Sequence, residues 1–172
     1  VNNGKVEWLL NTLESLKAYN TDFFSSSDIV IDQGQLFLSA GPSFFSFDLE
    51  TGFIKWKENY SSSLTPVIIL DNIFLVTNNG YLLNINKDNG SIIWSINILS
   101  NLKRKKQNTL VTGFILGSGK IYATTENGYL IVLSASTGNF ESTFKVADSI
   151  LVPPIIVDGA LYVLSNEPKI IG

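Results

Sequence analysis

Five aspartates stand where the chain has to turn: Asp32, Asp48, Asp71, Asp88 and Asp158. Carboxylate and amide oxygens are hard donors of the kind Ca²⁺ takes, and a pocketed aspartate can act as a general base. The same side chains also close turns by accepting hydrogen bonds from nearby backbone. Each of the five has a glycine or asparagine close behind it, so turn closure is the role read at all of them. Cysteine, histidine and methionine are absent. That removes disulfides, thiolate nucleophiles, imidazole bases and almost every zinc or copper site by residue type. No catalytic residue, cofactor or metal is therefore expected. One run of cations, Lys103-Arg104-Lys105-Lys106, stands out. It reads either as a solvated loop or as a surface for an acidic partner. The net charge of −3 gives no reason to expect nucleic acid or a strongly steered partner. No apolar run approaches the roughly 18 residues of a membrane span.

The elements that position these residues follow from one stretch, Ser46 through Asp48, Thr51 and Gly52 to Trp56. It alternates as a strand, turns at Thr51-Gly52 and resumes as a strand ending in tryptophan. Asn84 to Trp94 repeats it, with Gly90 falling 38 residues after Gly52 and Trp94 falling 38 after Trp56. Val1 to Trp8 matches the end of the unit, with Trp8 four residues after Gly4. Around Gly138 the unit recurs, but Ser142 stands where the tryptophan would fall. Glu126-Asn127-Gly128-Tyr129-Leu130 copies Asn78-Asn79-Gly80-Tyr81-Leu82 after 48 residues.

Strands are predicted at Ile29 to Ile31, Leu36 to Ser39, Phe44 to Phe47 and Phe53 to Trp56. A second set is Val67 to Leu70, Ile73 to Thr77, Tyr81 to Ile85 and Ile92 to Ile98. A third is Leu110 to Leu116, Ile121 to Thr125, Tyr129 to Leu133 and Phe140 to Val146. Ile155 to Val157, Leu161 to Leu164 and Lys169 to Ile171 begin a fourth. Four short antiparallel strands every 38 to 48 residues, with a turn after each, mark β-propeller blades. One such sheet cannot bury both faces alone, whereas blades stacked around an axis bury them against each other. A β-sandwich is the rival fold, and period-matched Gly and Trp argue against it. The fold expected is all-β, a single propeller region over 1–172. Residues 1–8 end a preceding blade, 27–60, 64–98 and 109–147 are blades, and 151–172 is an incomplete last blade. Between Leu9 and Ser27 a short helix is expected, because Asn11 to Glu14 has capping-box spacing and Leu9, Leu10, Leu13 and Leu16 share a helical face. Tyr19, Phe23 and Phe24 follow it, either folded back on the core or free for a partner.

The pattern Asp48, Thr51, Gly52, Trp56 resembles the tryptophan-docking motif of the pyrroloquinoline quinone (PQQ)-type propeller repeats, Ala-x-Asp-x-x-Thr-Gly-x-x-x-Trp. Ser46 replaces its Ala, and the second copy has Asn84, Asn86 and Asn89 in the Ala, Asp and Thr places. The resemblance implies that each Trp packs on the turn of an adjacent blade, and that the ring has eight blades. Trp8, Trp56 and Trp94, tied to repeat positions, are expected to be buried and structural, and Gly52, Gly90 and Gly138 belong to the same docking motif. Within this superfamily, Ile29 to Gly172 resembles the BamB-like propeller lipoproteins of the outer-membrane β-barrel assembly machinery. The likeness is concentrated in Glu126-Asn127-Gly128-Tyr129-Leu130, Gly138-Asn139-Phe140 and Pro154-Ile155-Ile156-Val157-Asp158-Gly159. It implies a C-terminal half, four blades of eight, with the lipidated cysteine upstream of Val1. The missing half or a second copy would cover the exposed blade faces.

Three function classes follow. A PQQ- and Ca²⁺-dependent dehydrogenase would need carboxylates gathered around a quinone, and in many members an adjacent cysteine pair, which is absent. A propeller sensor or carbohydrate module would need exposed aromatics on one face, whereas the three tryptophans are tied to repeat positions. A protein-interaction scaffold fits better. Loops after the second and fourth strands share a rim, which gathers Leu9–Ser27, Asn78 to Gly80, Leu102–Asn108 and Glu126 to Gly128. The resemblance implies a periplasmic, outer-membrane-associated protein whose loops meet the POTRA domains of the barrel-assembly protein, with Tyr19, Phe23, Phe24 and Lys103 to Lys106 as candidate contacts.

Overall fold

A computed structural model describes residues 5–10, 26–102, 109–166 and 170–171. Among the described residues, fifteen strands form four antiparallel sheets. The first sheet holds β1 (Val30–Asp32), β2 (Gln35–Ala40), β3 (Ser43–Asp48) and β4 (Ile54–Glu58). The second holds β5 (Val67–Ile69), β6 (Asn72–Val76), β7 (Tyr81–Asn86) and β8 (Ile92–Asn97). The third holds β9 (Val111–Gly117), β10 (Lys120–Thr125), β11 (Tyr129–Ser134) and β12 (Phe140–Lys145). The fourth has β13 (Ile155–Val157), β14 (Ala160–Leu164) and β15 (Ile170–Ile171). Each is a meander in chain order, the blade arrangement that the repeat predicts. No helix among the described residues is long and apolar enough to cross a membrane. The helix expected around residues 11–16 lies outside the described residues, as do Tyr19, Phe23, Phe24, Lys103, Arg104, Lys105 and Lys106. Leu9 and Leu10, at its expected start, have no regular secondary structure and are exposed.

Successive residues of a strand point to opposite faces, so a blade between two others needs apolar residues at nearly every position. In β6, Ile73 and Leu75 face the first sheet, where they cluster with Phe37, Phe44, Trp56, Leu83 and Ile85. Phe74 and Val76 face the third sheet, joining Leu82, Phe114, Ile121, Ala123, Ile131 and Leu133. These two seams are the core. The other face of the first sheet gathers Leu36, Ala40, Phe45 and Phe47, with Trp8 packed against them.

The hairpins share their irregularities as well as their order. Each turn between third and fourth strands is preceded by a register shift, at Ser46/Phe47, Asn84/Ile85 and Val132/Leu133. Each turn between first and second strands places one non-glycine residue at positive φ: Gln33, Leu70, Ser118 and Asp158. The right-handed strand twist favours such two-residue turns.

Candidate interaction seams and rims

The Asp48 turn shows why this sequence folds locally as it does. Asp48 Oδ1 accepts from the Thr51 backbone N–H at 2.8 Å and from the Thr51 hydroxyl at 2.7 Å. Those two bonds, the hydroxyl's first, hold the exposed Asp48 carboxyl below the usual carboxylate range. The Gly52 N–H closes the turn on the Asp48 carbonyl at 2.9 Å. In the second sheet Asn86 Oδ1 does the same work, accepting from the N–H groups of Asp88 at 3.0 Å and Asn89 at 3.2 Å. In the third, Gly138 N–H bonds the Ser134 carbonyl at 2.9 Å with no acidic or amide side chain at that position.

Each turn then receives a tryptophan from the preceding repeat. Trp8 lies on Gly52, Trp56 on Gly90 and Trp94 on Gly138. A methyl group on Gly90 would stand 2.8 Å from Trp56 Cε3, so the ring approaches as closely as it does only because no Cβ is present. The indole N–H of Trp8 donates to the Leu49 carbonyl at 3.0 Å and that of Trp56 to the Lys87 carbonyl at 2.8 Å. Trp94 Nε1 is buried and finds no partner among the described residues. Only Trp56 is buried as a whole residue, at 8% exposure. Trp8 and Trp94 are half-buried, which corrects the expectation that all three are buried. Trp56 is covered because Phe37 and Phe44 lie against it at centroid distances of 6.0 and 5.6 Å, whereas Trp94 has Phe74 alone, at 6.0 Å.

A residue that sequence reasoning missed closes the first seam. Lys87 is 2% exposed, and its ammonium donates to Asp32 Oδ2 at 2.9 Å and Gln33 Oε1 at 3.0 Å. In sequence it sits in Lys-Asp-Asn-Gly, where a solvated turn is the default reading. No local signal marks it as buried, because its partners are 55 and 54 residues away.

Two rims result. Turns between first and second and between third and fourth strands carry Asp32, Asp48, Lys87 and the Trp-bearing glycines. At the other rim, the connectors into the second, third and fourth sheets are each tied to that sheet's turn between second and third strands. Asn78 Oδ1 accepts from the Ser63 N–H at 2.9 Å, and its amide donates to the Ser61 hydroxyl at 2.8 Å. Glu126 Oε1 accepts from the Leu110 N–H at 3.1 Å. The Asn166 N–H donates to the Ser149 carbonyl at 3.1 Å. Asn78 and Glu126 thus stand on the same rim as the connectors. Among the described residues no three acidic side chains converge on a point that could hold a metal ion.

The chain was compared with known proteins. It is 25% identical over 168 residues to the outer membrane protein assembly factor BamB of Salmonella typhimurium, covering 95% of this chain and 41% of that protein. The Escherichia coli protein of the same name is 24% identical over the same length, again covering 95% and 41%. The chain thus spans about two fifths of these relatives. Among solved structures, BamB from Moraxella catarrhalis superposes with a TM-score of 0.65 at 21% identity, over 83% of this chain and 47% of that one. A quinohemoprotein alcohol dehydrogenase from Comamonas testosteroni reaches 0.57 at 17% identity, over 69% and 20%. Likenesses at these identities speak for the fold alone. The family model described as outer membrane protein assembly factor BamB matches residues 1–96, more than half of the chain, and includes the units ending in Trp8, Trp56 and Trp94. The chain belongs to that BamB family.

Proposed function

We propose that the protein to which this chain belongs is a non-enzymatic interaction scaffold that assists assembly and insertion of β-barrel proteins into the bacterial outer membrane. In this reading it is periplasmic and associated with the outer membrane, and its partner is the POTRA region of the barrel-assembly protein. Membership in the BamB family is the observation that carries it. Burial supports it too, since the apolar bulk is spent on seams between sheets and the turn aspartate Asp48 is occupied by its own turn. The quinoprotein neighbour shares a fold, and a fold does not carry chemistry with it.

The test is calorimetric titration of the full-length protein with a POTRA-domain fragment, with PQQ plus Ca²⁺ as the parallel titration. Saturable heat with POTRA and none with the quinone is the expected result. Quinone binding without POTRA binding would replace this reading by the dehydrogenase one. Reversing Lys103 to Lys106 to glutamate should weaken POTRA binding and flatten its salt dependence. Unchanged binding removes that run from the interface.

A further inference from the structure

Four Asn-Gly pairs punctuate the chain, and Asn79-Gly80, Asn89-Gly90 and Asn127-Gly128 lie among the described residues. Asparagine is thermally labile, and most so before glycine, because no Cβ shields the nitrogen that attacks its side chain. Asn79 and Asn127 stand in equivalent turns with matching backbones. Gly80 and Gly128 share a φ of +77°. Their N–H groups donate to the Thr77 and Thr125 carbonyls, both at 2.9 Å. The N–H groups of Tyr81 and Tyr129 donate to the Thr77 and Thr125 hydroxyls, both at 3.1 Å.

The asparagine side chains differ. Asn127 Oδ1 accepts from the Thr125 hydroxyl at 2.6 Å, and its amide donates to the Thr109 hydroxyl at 3.4 Å. Asn89 Oδ1 accepts from the Ser91 N–H at 2.9 Å and from the Ser91 hydroxyl at 2.7 Å. Asn79 is exposed, and its side chain has no hydrogen-bond partner among the described residues. The connector groups that could hold it, on Ser61 and Ser63, are taken by Asn78 instead.

We propose that Asn79 is a site of spontaneous deamidation built into the connector rim. Hydroxide removes the Gly80 amide proton, and the nitrogen forms a bond to Asn79 Cγ. The Cγ–Nδ2 bond breaks, and the leaving amide takes a proton from water and departs as ammonia. The cyclic succinimide then adds water at one of its two carbonyls, giving aspartate or isoaspartate. To reach the attacking geometry each glycine must release its N–H, a cost common to all three pairs: Gly90 N–H is held by the Asn86 carbonyl at the same 2.9 Å. Only Asn89 and Asn127 must also give up side-chain bonds. The product places a carboxylate beside Asn78. Isoaspartate also adds a methylene to the main chain, inside the turn that the Thr77 N–H closes on the Tyr81 carbonyl at 2.8 Å. The connector rim thus gains negative charge as the protein ages, and this does not rest on the assembly reading.

The experiment holds full-length protein in mildly alkaline buffer, samples it over time, cleaves it after lysine and maps the peptides by mass spectrometry. Lys87 and Lys120 put the three pairs on separate peptides. Fragment masses locate the converted residue, and an isoaspartate-specific methyltransferase reads the isoaspartate formed. Asn79 should convert about 3- to 10-fold faster than Asn127, the range expected of one net hydrogen bond. In guanidinium chloride the rates should converge, because each asparagine is followed by the same residue. Thr125→Val should raise the Asn127 rate toward that of Asn79 and leave Asn79 unchanged, whereas Thr125→Ser, which keeps the hydroxyl, should change neither. Conversion of Asn79 no faster than Asn127 in the folded protein overturns the site. So does a difference that survives in guanidinium chloride, which would assign it to sequence neighbours, and so does an Asn127 rate that a folded Thr125→Val variant leaves in place.

Discussion

The two seams that flank the second sheet are built on one plan and finished differently. In both, a tryptophan from one blade lies on the turn glycine of the next, Trp56 on Gly90 and Trp94 on Gly138. In the first, the indole N–H is bonded, two phenylalanines cover the ring, and Lys87 bridges to Asp32 across the end of the seam. In the second, the indole N–H and the Asn84 oxygen both lack a partner among the described residues, and a cleft stands open where the lysine would lie. The difference teaches that the glycine–tryptophan contact sets how blades stack, while polar side chains beside it set whether the seam is sealed.

The comparison can be broken first at the rings. Trp56→Ala should cost about 3–5 kcal/mol as a large-to-small change in a buried site. Trp94→Ala should cost about 1–2 kcal/mol less, because its N–H gives up no hydrogen bond. Urea unfolding of both variants reads the difference. A Trp56→Ala loss under about 1 kcal/mol would sink the docking role.

Next come the glycines beneath the rings. Gly90 and Gly34 have nearly the same φ, +76° and +75°, but a Cβ on Gly34 meets nothing within 4 Å. Gly34→Ala should therefore show only the conformational penalty, about 1–2 kcal/mol. Gly90→Ala adds overpacking against Trp56, for a total of about 2–4 kcal/mol. Equal losses would mean that the ring yields without strain.

Lys87→Ala should cost about 2 kcal/mol, since it leaves Asp32 and Gln33 without their partner and empties the seam. Asp32 is partly exposed, with 35% of its side chain open, which holds the figure below that of a fully buried pair. Lys87→Met keeps the stem and should cost less. Thermal unfolding of the two variants measures how much of the seal is charge and how much is packing.

The smallest effect concerns pH. Asp48 has a carboxyl pKa held down by the Thr51 hydroxyl and N–H. A depressed folded-state pKa contributes stability above the unfolded value of about 3.9, and loses it as pH falls through the folded value. Protection of the first sheet's turn amides, taken relative to their intrinsic exchange rates at each pH, should therefore fall below about pH 4. The second sheet's turn has the non-titrating Asn86 at that position and should not respond. Asp48→Asn should remove the contrast; a contrast that persists would place the titration elsewhere.

Much of this was legible beforehand. The Gly52 and Gly90 turns, the strands around them and the short apolar runs of β6 and β7 follow from residues that act on their immediate neighbours. That each tryptophan packs on a turn of an adjacent blade was implied by the resemblance to the PQQ-type repeats, and the structure assigns Trp56 to Gly90. Lys87 was not legible, since nothing near it in sequence distinguishes it from a solvated turn lysine. Nor was the half-exposure of Trp94, which depends on having one aromatic neighbour where Trp56 has two.

By itself the sequence determined the blades. Period-two alternation and Asx–Gly turn chemistry act within a few residues, so they need no knowledge of what lies across the seam. The tertiary structure alone decided which seam is sealed. That depends on side chains some 55 residues apart meeting at one point, as Lys87 meets Asp32, and on Ala135 leaving the equivalent point empty. Contacts between repeats are set by stacking, and stacking has no signature in any single repeat.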